Sequence, residues 1–152
     1  MTPSLRDQLI GAWKLVSYVE KPVDGSAPFH PFGENPNGII MYTPDGFMSA
    51  QLCRPDRANF AAGDWFKGTP AEYEAEASSY IAYTGPFSVN EEKQTLTHSM
   101  FISLFPDWTG QTQPRAVRIE GDLLNLSTAG AIQSGGKTVN SYLQWTRASK
   151  AC

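Results

Sequence analysis

The chain has 152 residues, 41% of them hydrophobic, and a formal charge of −3 at pH 7. That length suits one domain over 1–152 with a sizeable core, and the absence of a basic stripe argues against nucleic acid as a partner. The opening "MTPSLRDQLIGAW" has no basic segment followed by a long apolar run. No stretch approaches the roughly 20 apolar residues of a membrane span either, so a cytoplasmic protein is expected.

In chain order, Ser4 is placed to cap a short helix over "LRDQLI", which Gly11 ends. The next segment, 12–20, alternates Trp13, Leu15, Ser17 and Val19 against Lys14, Val16 and Tyr18, the period of a strand. Residues 21–38 are rich in Pro and Gly and read as a long loop, of the kind that covers a binding site. "GIIMY" (38–42) and "FMSAQL" (47–52) flank "TPDG" (43–46), where Pro44 presets φ and Gly46 takes the left-handed position of a bulged hairpin. One face of this hairpin carries Tyr42 and Ile40 with Phe47 and Ser49; the other carries Met41 and Ile39 with Met48 and Ala50. Which of them points inward is open at this level.

Residues 54–67 place Phe60, Trp65 and Phe66 in a loop, where aromatics more often fill a gap beneath than form a gate. In "GTPAEYEAEASSY" (68–80), Thr69 as N-cap, Pro70 in the first turn and Glu72 in a capping box predict a helix. Its Tyr73, Ala77 and Tyr80 are expected to pack on the sheet or over a mouth of it. Further strands are read over 81–89, 94–104, 114–120, 123–129 and 138–147, giving about eight in all. Short links between them favour an up-and-down antiparallel sheet, closed or nearly so.

Several chemistries find no support. No GxSxG, GxGxxG, P-loop or HExxH pattern occurs, and His30 and His98 lack metal-ligand spacing, so no metal and no cofactor are expected. Cys53 reads as a packed free thiol and Cys152 as a solvated tail residue, too few for a disulfide framework.

"GAW" at the start of the first strand and "QWTR" at the end of the last resemble the calycin signature, in which a Trp on the first strand packs against an Arg on the last. More narrowly, "GAWKLVSY", "GENPNGIIMYTPDGFMSAQL", "RPDR", "YIAYTGPF", "THSMFISLFPDWTGQTQPR", "GDLLNLST" and "LQWTR" resemble the lipocalin-like domain family of short bacterial and fungal proteins. That resemblance spans nearly the whole chain. It implies an all-β, eight-stranded up-and-down barrel with a cavity, here carrying a short N-terminal helix and a helical insert near 69–80. It also implies that some such proteins in biosynthetic pathways act as cofactor-free cyclases or isomerases, although no catalytic motif transfers residue by residue.

A barrel of eight strands is just wide enough to hold one small ligand, so chemistry belongs on its inward face. On strand 94–104, Leu96, His98, Met100, Ile102 and Leu104 share a face. His98 has an ordinary pKa near neutrality and is a candidate acid or base, though a core histidine is the commoner reading. Arg115 is expected at a rim, as a solvated charge or as an electrophile for developing negative charge. Tyr42 is the third candidate. Met48, Tyr83, Phe87, Met100 and Trp145 are candidate ligand-lining residues, with Trp145 a stacking surface.

The function favoured on these grounds is cofactor-free isomerisation or cyclisation of a hydrophobic or aromatic biosynthetic intermediate. The alternative is a non-catalytic carrier or sensor of a hydrophobic metabolite. A filled barrel serving as a structural subunit is a third reading, and a homodimer is left open.

Overall fold

Residues 2–149 are described by a computed structural model. Cys152, expected as a solvated tail, lies outside these residues. Ser4 caps helix α1 (Leu5–Leu9) by accepting from the Asp7 N–H at 3.0 Å, and Gly11 turns the chain out of it with φ 122°. The strands that follow are β1 (Gly11–Pro22), β2 (Asn37–Tyr42) and β3 (Phe47–Cys53). Helix α2 (Pro70–Ser78) intervenes before β4 (Tyr80–Asn90), β5 (Thr95–Ser99) and the two-residue β6 (Ile102–Ser103). The chain ends with β7 (Thr112–Glu120), β8 (Leu123–Thr128), β9 (Ile132–Ser134) and β10 (Lys137–Arg147).

Eight of these pair antiparallel in the order β1-β2-β3-β4-β5-β7-β8-β10, and β10 pairs back onto β1, closing the barrel. The short β6 and β9 hang on β4 and β10 outside that ring. The expected eight-stranded up-and-down barrel is therefore the fold.

One end is sealed. There Trp13 is fully buried, its indole N–H donating to the Leu9 carbonyl at 2.9 Å. The Arg147 guanidinium lies 3.8 Å from the Trp13 ring centroid and donates to the carbonyls of Ile10 (2.9 Å) and Gln8 (2.7 Å). One side chain of the last strand thus holds the helix that plugs the barrel and the first strand behind it. Leu5 and Leu9 of α1 complete the floor, and Glu91 accepts from the Leu5 N–H at 2.6 Å.

Four local expectations need correction. On β1 the register against β10 shifts between Leu15 and Ser17, a bulge that leaves Val16 outside and changes which residues point inward. Trp13 and Leu15 face the core before it, Tyr18 and Glu20 after it, and Ser17 and Val19 lie on the outer wall. In the hairpin, Tyr42 pairs with Met48 and Ile40 with Ala50, one residue away from the expected pairing, because the bulge at Gly46 (φ 99°) absorbs an extra residue. The inward face is consequently Ile40, Tyr42, Met48, Ala50 and Leu52.

The third correction concerns 94–104, which is not one strand. β5 and β7 pair as far as Met100, whose N–H donates to Gln111 at 2.9 Å; then Phe101 turns to donate to the Thr84 carbonyl at 3.1 Å and the chain crosses to β4. Ile102 and Leu104 are exposed as a result, not in line with His98. Gly85 permits this, since a Cβ there would overlap the Ser99 carbonyl oxygen. Fourth, α2 buries none of its residues. Its Tyr73 stacks edge-on against Phe60 at 5.4 Å and its hydroxyl bonds within the 54–68 loop, so helix and loop form a self-packed lobe beside the barrel.

Candidate functional site

All eight candidate residues named from sequence lie on the inward rows of the barrel. His98, Tyr42, Met48, Met100 and Trp145 are almost wholly buried, Tyr83 and Phe87 nearly so, and Arg115 is half-buried. β5 carries His98 and β2 carries Tyr42, three strands apart around the wall, yet Tyr42 Oη and His98 Nε2 are 2.8 Å apart. Phe87, opposite His98 on β4, packs edge-on to Tyr42 at 4.9 Å between centroids. Tyr83 lies one turn of the pleat nearer the open end, its ring 6.0 Å from that of His98.

Arg115 is not a solvated rim charge. It sits diagonal to His98 on β7, its guanidinium donating to Gln113 Oε1 at 2.7 Å and to the Pro114 carbonyl at 3.0 Å. Among the described residues it pairs with no carboxylate. Burial, and secondarily the nearby Arg115 charge, push the His98 pKa down to about 3, so the imidazole is neutral at physiological pH. Burial also holds the Tyr42 phenol well above its usual range, and the neighbouring Tyr83 adds to this.

Neutral His98 has one N–H. If Tyr42 donates to Nε2, the proton sits on Nδ1 and has no acceptor; in the other tautomer the Tyr42 hydroxyl proton is the one left over. The buried side-chain polar atoms without a partner among the described residues are His98 Nδ1, Trp145 Nε1 and Ser103 Oγ. The first two belong to the inward rows of β5 and β10, both in the half of the barrel nearer the sealed end.

A second polar group lines the open half. Glu20 is fully buried on β1, accepting from Tyr18 (3.2 Å) and Ser141 (2.9 Å) at Oε2 and from Ser134 (2.5 Å) at Oε1. Over it lies the 23–36 loop. Phe29 exchanges two backbone hydrogen bonds with Glu20, and Phe32 is buried edge-on against Tyr18 at 5.6 Å. The loop thus covers one mouth, as its length suggested. Neither Glu20 nor Tyr18 was singled out from sequence. Strict alternation from Trp13 assigns Tyr18 to the outer face, and no glycine marks the bulge that turns it inward.

Two concavities of about 220 and 950 Å³ lie outside the wall, one along β1, β8 and β10 and the other between the 54–65 loop and α2. No group of three or more His, Cys, Asp or Glu residues is placed to hold a metal among the described residues. No helix of the described residues is long and apolar enough to cross a membrane.

Fold and lining together define a class: a closed antiparallel barrel of the type that binds small molecules, with an aromatic interior and a few polar groups aimed inward. The family model for the lipocalin-like domain matches residues 10–148, and the chain belongs to that family. The 4'-hydroxy-3'-methoxypropiophenone carrier protein ppsC of Aspergillus oryzae (strain ATCC 42149 / RIB 40) is 34% identical over 106 residues, 66% of this chain and 96% of that protein.

Proposed function

We propose that the barrel interior carries a small aromatic ligand bearing a carbonyl or comparable oxygen acceptor. The observation that carries this reading is the pair of unpartnered buried groups, His98 Nδ1 and Trp145 Nε1. A buried donor without an acceptor costs about 1–3 kcal/mol, which a ligand oxygen bonded to it recovers. Tyr42, Tyr83, Phe87 and Trp145 supply edges and faces for an aromatic ring, and Met48 and Met100 supply adaptable apolar contact. The name of the Aspergillus relative, a carrier of an aryl ketone, agrees with both the oxygen acceptor and the ring.

A carrier role is favoured over catalysis by the state of His98. A general base that works at pH 7 needs a pKa near 7, and burial takes this imidazole in the other direction. Isomerisation or cyclisation remains the second reading, supported by the Tyr42–His98 hydrogen bond beside the unpaired Arg115 charge, which could stabilise an enolate.

Calorimetric titration with a phenyl alkyl ketone tests binding, and Trp145→Phe, which keeps the ring and removes the N–H, is expected to weaken it about tenfold. Unchanged affinity in that variant would contradict the site. Incubating the complex in deuterated water separates the two readings. A carrier leaves the hydrogens next to the carbonyl at their uncatalysed exchange rate, whereas an isomerase working through an enolate accelerates their loss.

A further inference from the structure

This inference rests on the binding reading above and extends it to the opposite half of the interior. Glu20 accepts from three hydroxyls and donates to none, the pattern of an ionised carboxylate. Among the described residues no lysine or arginine pairs with it. Taking a carboxylate out of water carries a penalty of several kcal/mol, and neutral side chains could tie β1, β9 and β10 together without it. Structural strapping alone therefore does not account for a charge at this position.

The geometry leaves acceptor capacity on the interior side. A carboxylate offers about four lone-pair sites, of which the three hydroxyls occupy three. Tyr18, in donating its proton to Glu20, keeps its phenolic oxygen as an acceptor, polarised by the charge behind it. Between this pair and His98 stands Tyr83, whose ring is 6.0 Å from the imidazole and close enough to Tyr18 to help hold that phenol protonated. The interior is thus polarised along its length. Donors and the Arg115 charge belong to one end, and acceptors backed by Glu20 to the other.

We propose that Tyr18 and Glu20 form a hydroxyl-recognition subsite, so that the barrel selects aromatic carbonyl compounds that carry a hydroxyl at the end remote from the carbonyl. The carbonyl oxygen accepts from His98 and Trp145, and the hydroxyl donates to Tyr18 or directly to Glu20. A ligand without that hydroxyl leaves the acceptors unmet, and one with an anionic group there is repelled.

The test compares 4-hydroxyphenyl propyl ketone with its 4-methoxy ether by calorimetry, on the full chain and on Tyr18→Phe and Glu20→Gln variants. The hydroxy ketone is expected to bind about tenfold tighter than the ether, and each substitution should shrink that gap to about threefold or less. Equal affinities for the two ketones in the unmodified protein would overturn the subsite while leaving the binding reading intact. Binding of neither ketone would overturn the binding reading itself, and the subsite with it. Should a variant fail to fold, the comparison in the unmodified protein still decides.

Discussion

His98 is a residue whose folding environment and titration are tightly linked. Its pKa falls from 6.5 to about 3 on burial, so the unfolded chain binds a proton that the folded one refuses between those values. Stability attributable to this group is complete above about pH 6.5 and is lost as pH falls toward 3. Urea melts across that window should show a steep loss in the unmodified protein and a shallower one in His98→Gln, whose amide does not titrate. Equal slopes would show that the imidazole is not buried as described. At the same scale Arg147→Lys should not rescue Arg147→Ala. Both lose the forked contact with the two α1 carbonyls and the stacking on Trp13, and each is expected to cost about 2–4 kcal/mol in chemical denaturation.

At the scale of elements, irregularities decide which side chains enter the barrel. The bulge at Val16 turns Tyr18 and Glu20 inward, and the bulge at Gly46 brings Tyr42 and Met48 to the same face. Gly85 lets β5 end against β4 and sends 101–110 outward. Gly85→Ala places a methyl group into the Ser99 carbonyl, so it is expected to destabilise by several kcal/mol or to prevent folding, read as a lowered denaturation midpoint. Strand existence, the capping box of α2 and the Trp13–Arg147 clasp were legible, because each is written in local period or in a residue pair of marked chemistry. Exact facing was not. A side-chain period of two is reversed by a single inserted residue, and Val16 carries no mark of insertion. The same sensitivity separated Ile102 and Leu104 from the His98 row.

For the whole molecule, closure of β10 onto β1 removes free edges and encloses a lining too rich in polar groups for an inert core. The sealed end is fixed by α1 and Arg147, while the other is covered by a loop that touches Tyr18 and Glu20. A ligand reaching His98 from that side passes the Tyr18 and Glu20 pair on its way. Composition and motif gave the barrel and its inward His98, Tyr42 and Trp145. Polarity along the axis depends on contacts between residues 18–20, 134 and 141, and no spacing in the chain announces them.

The four tryptophans offer the most direct test of the central claim, that the interior holds an aromatic carbonyl ligand against unpartnered donors. Indole N–H signals can be followed by nuclear magnetic resonance as a hydroxyphenyl alkyl ketone is added. The Trp145 signal is predicted to move downfield and saturate, while Trp13, already bonded to Leu9, and Trp65, 75% exposed, stay in place. A titration that shifts Trp65 and leaves Trp145 unchanged would place the ligand at the outer lobe and contradict the account.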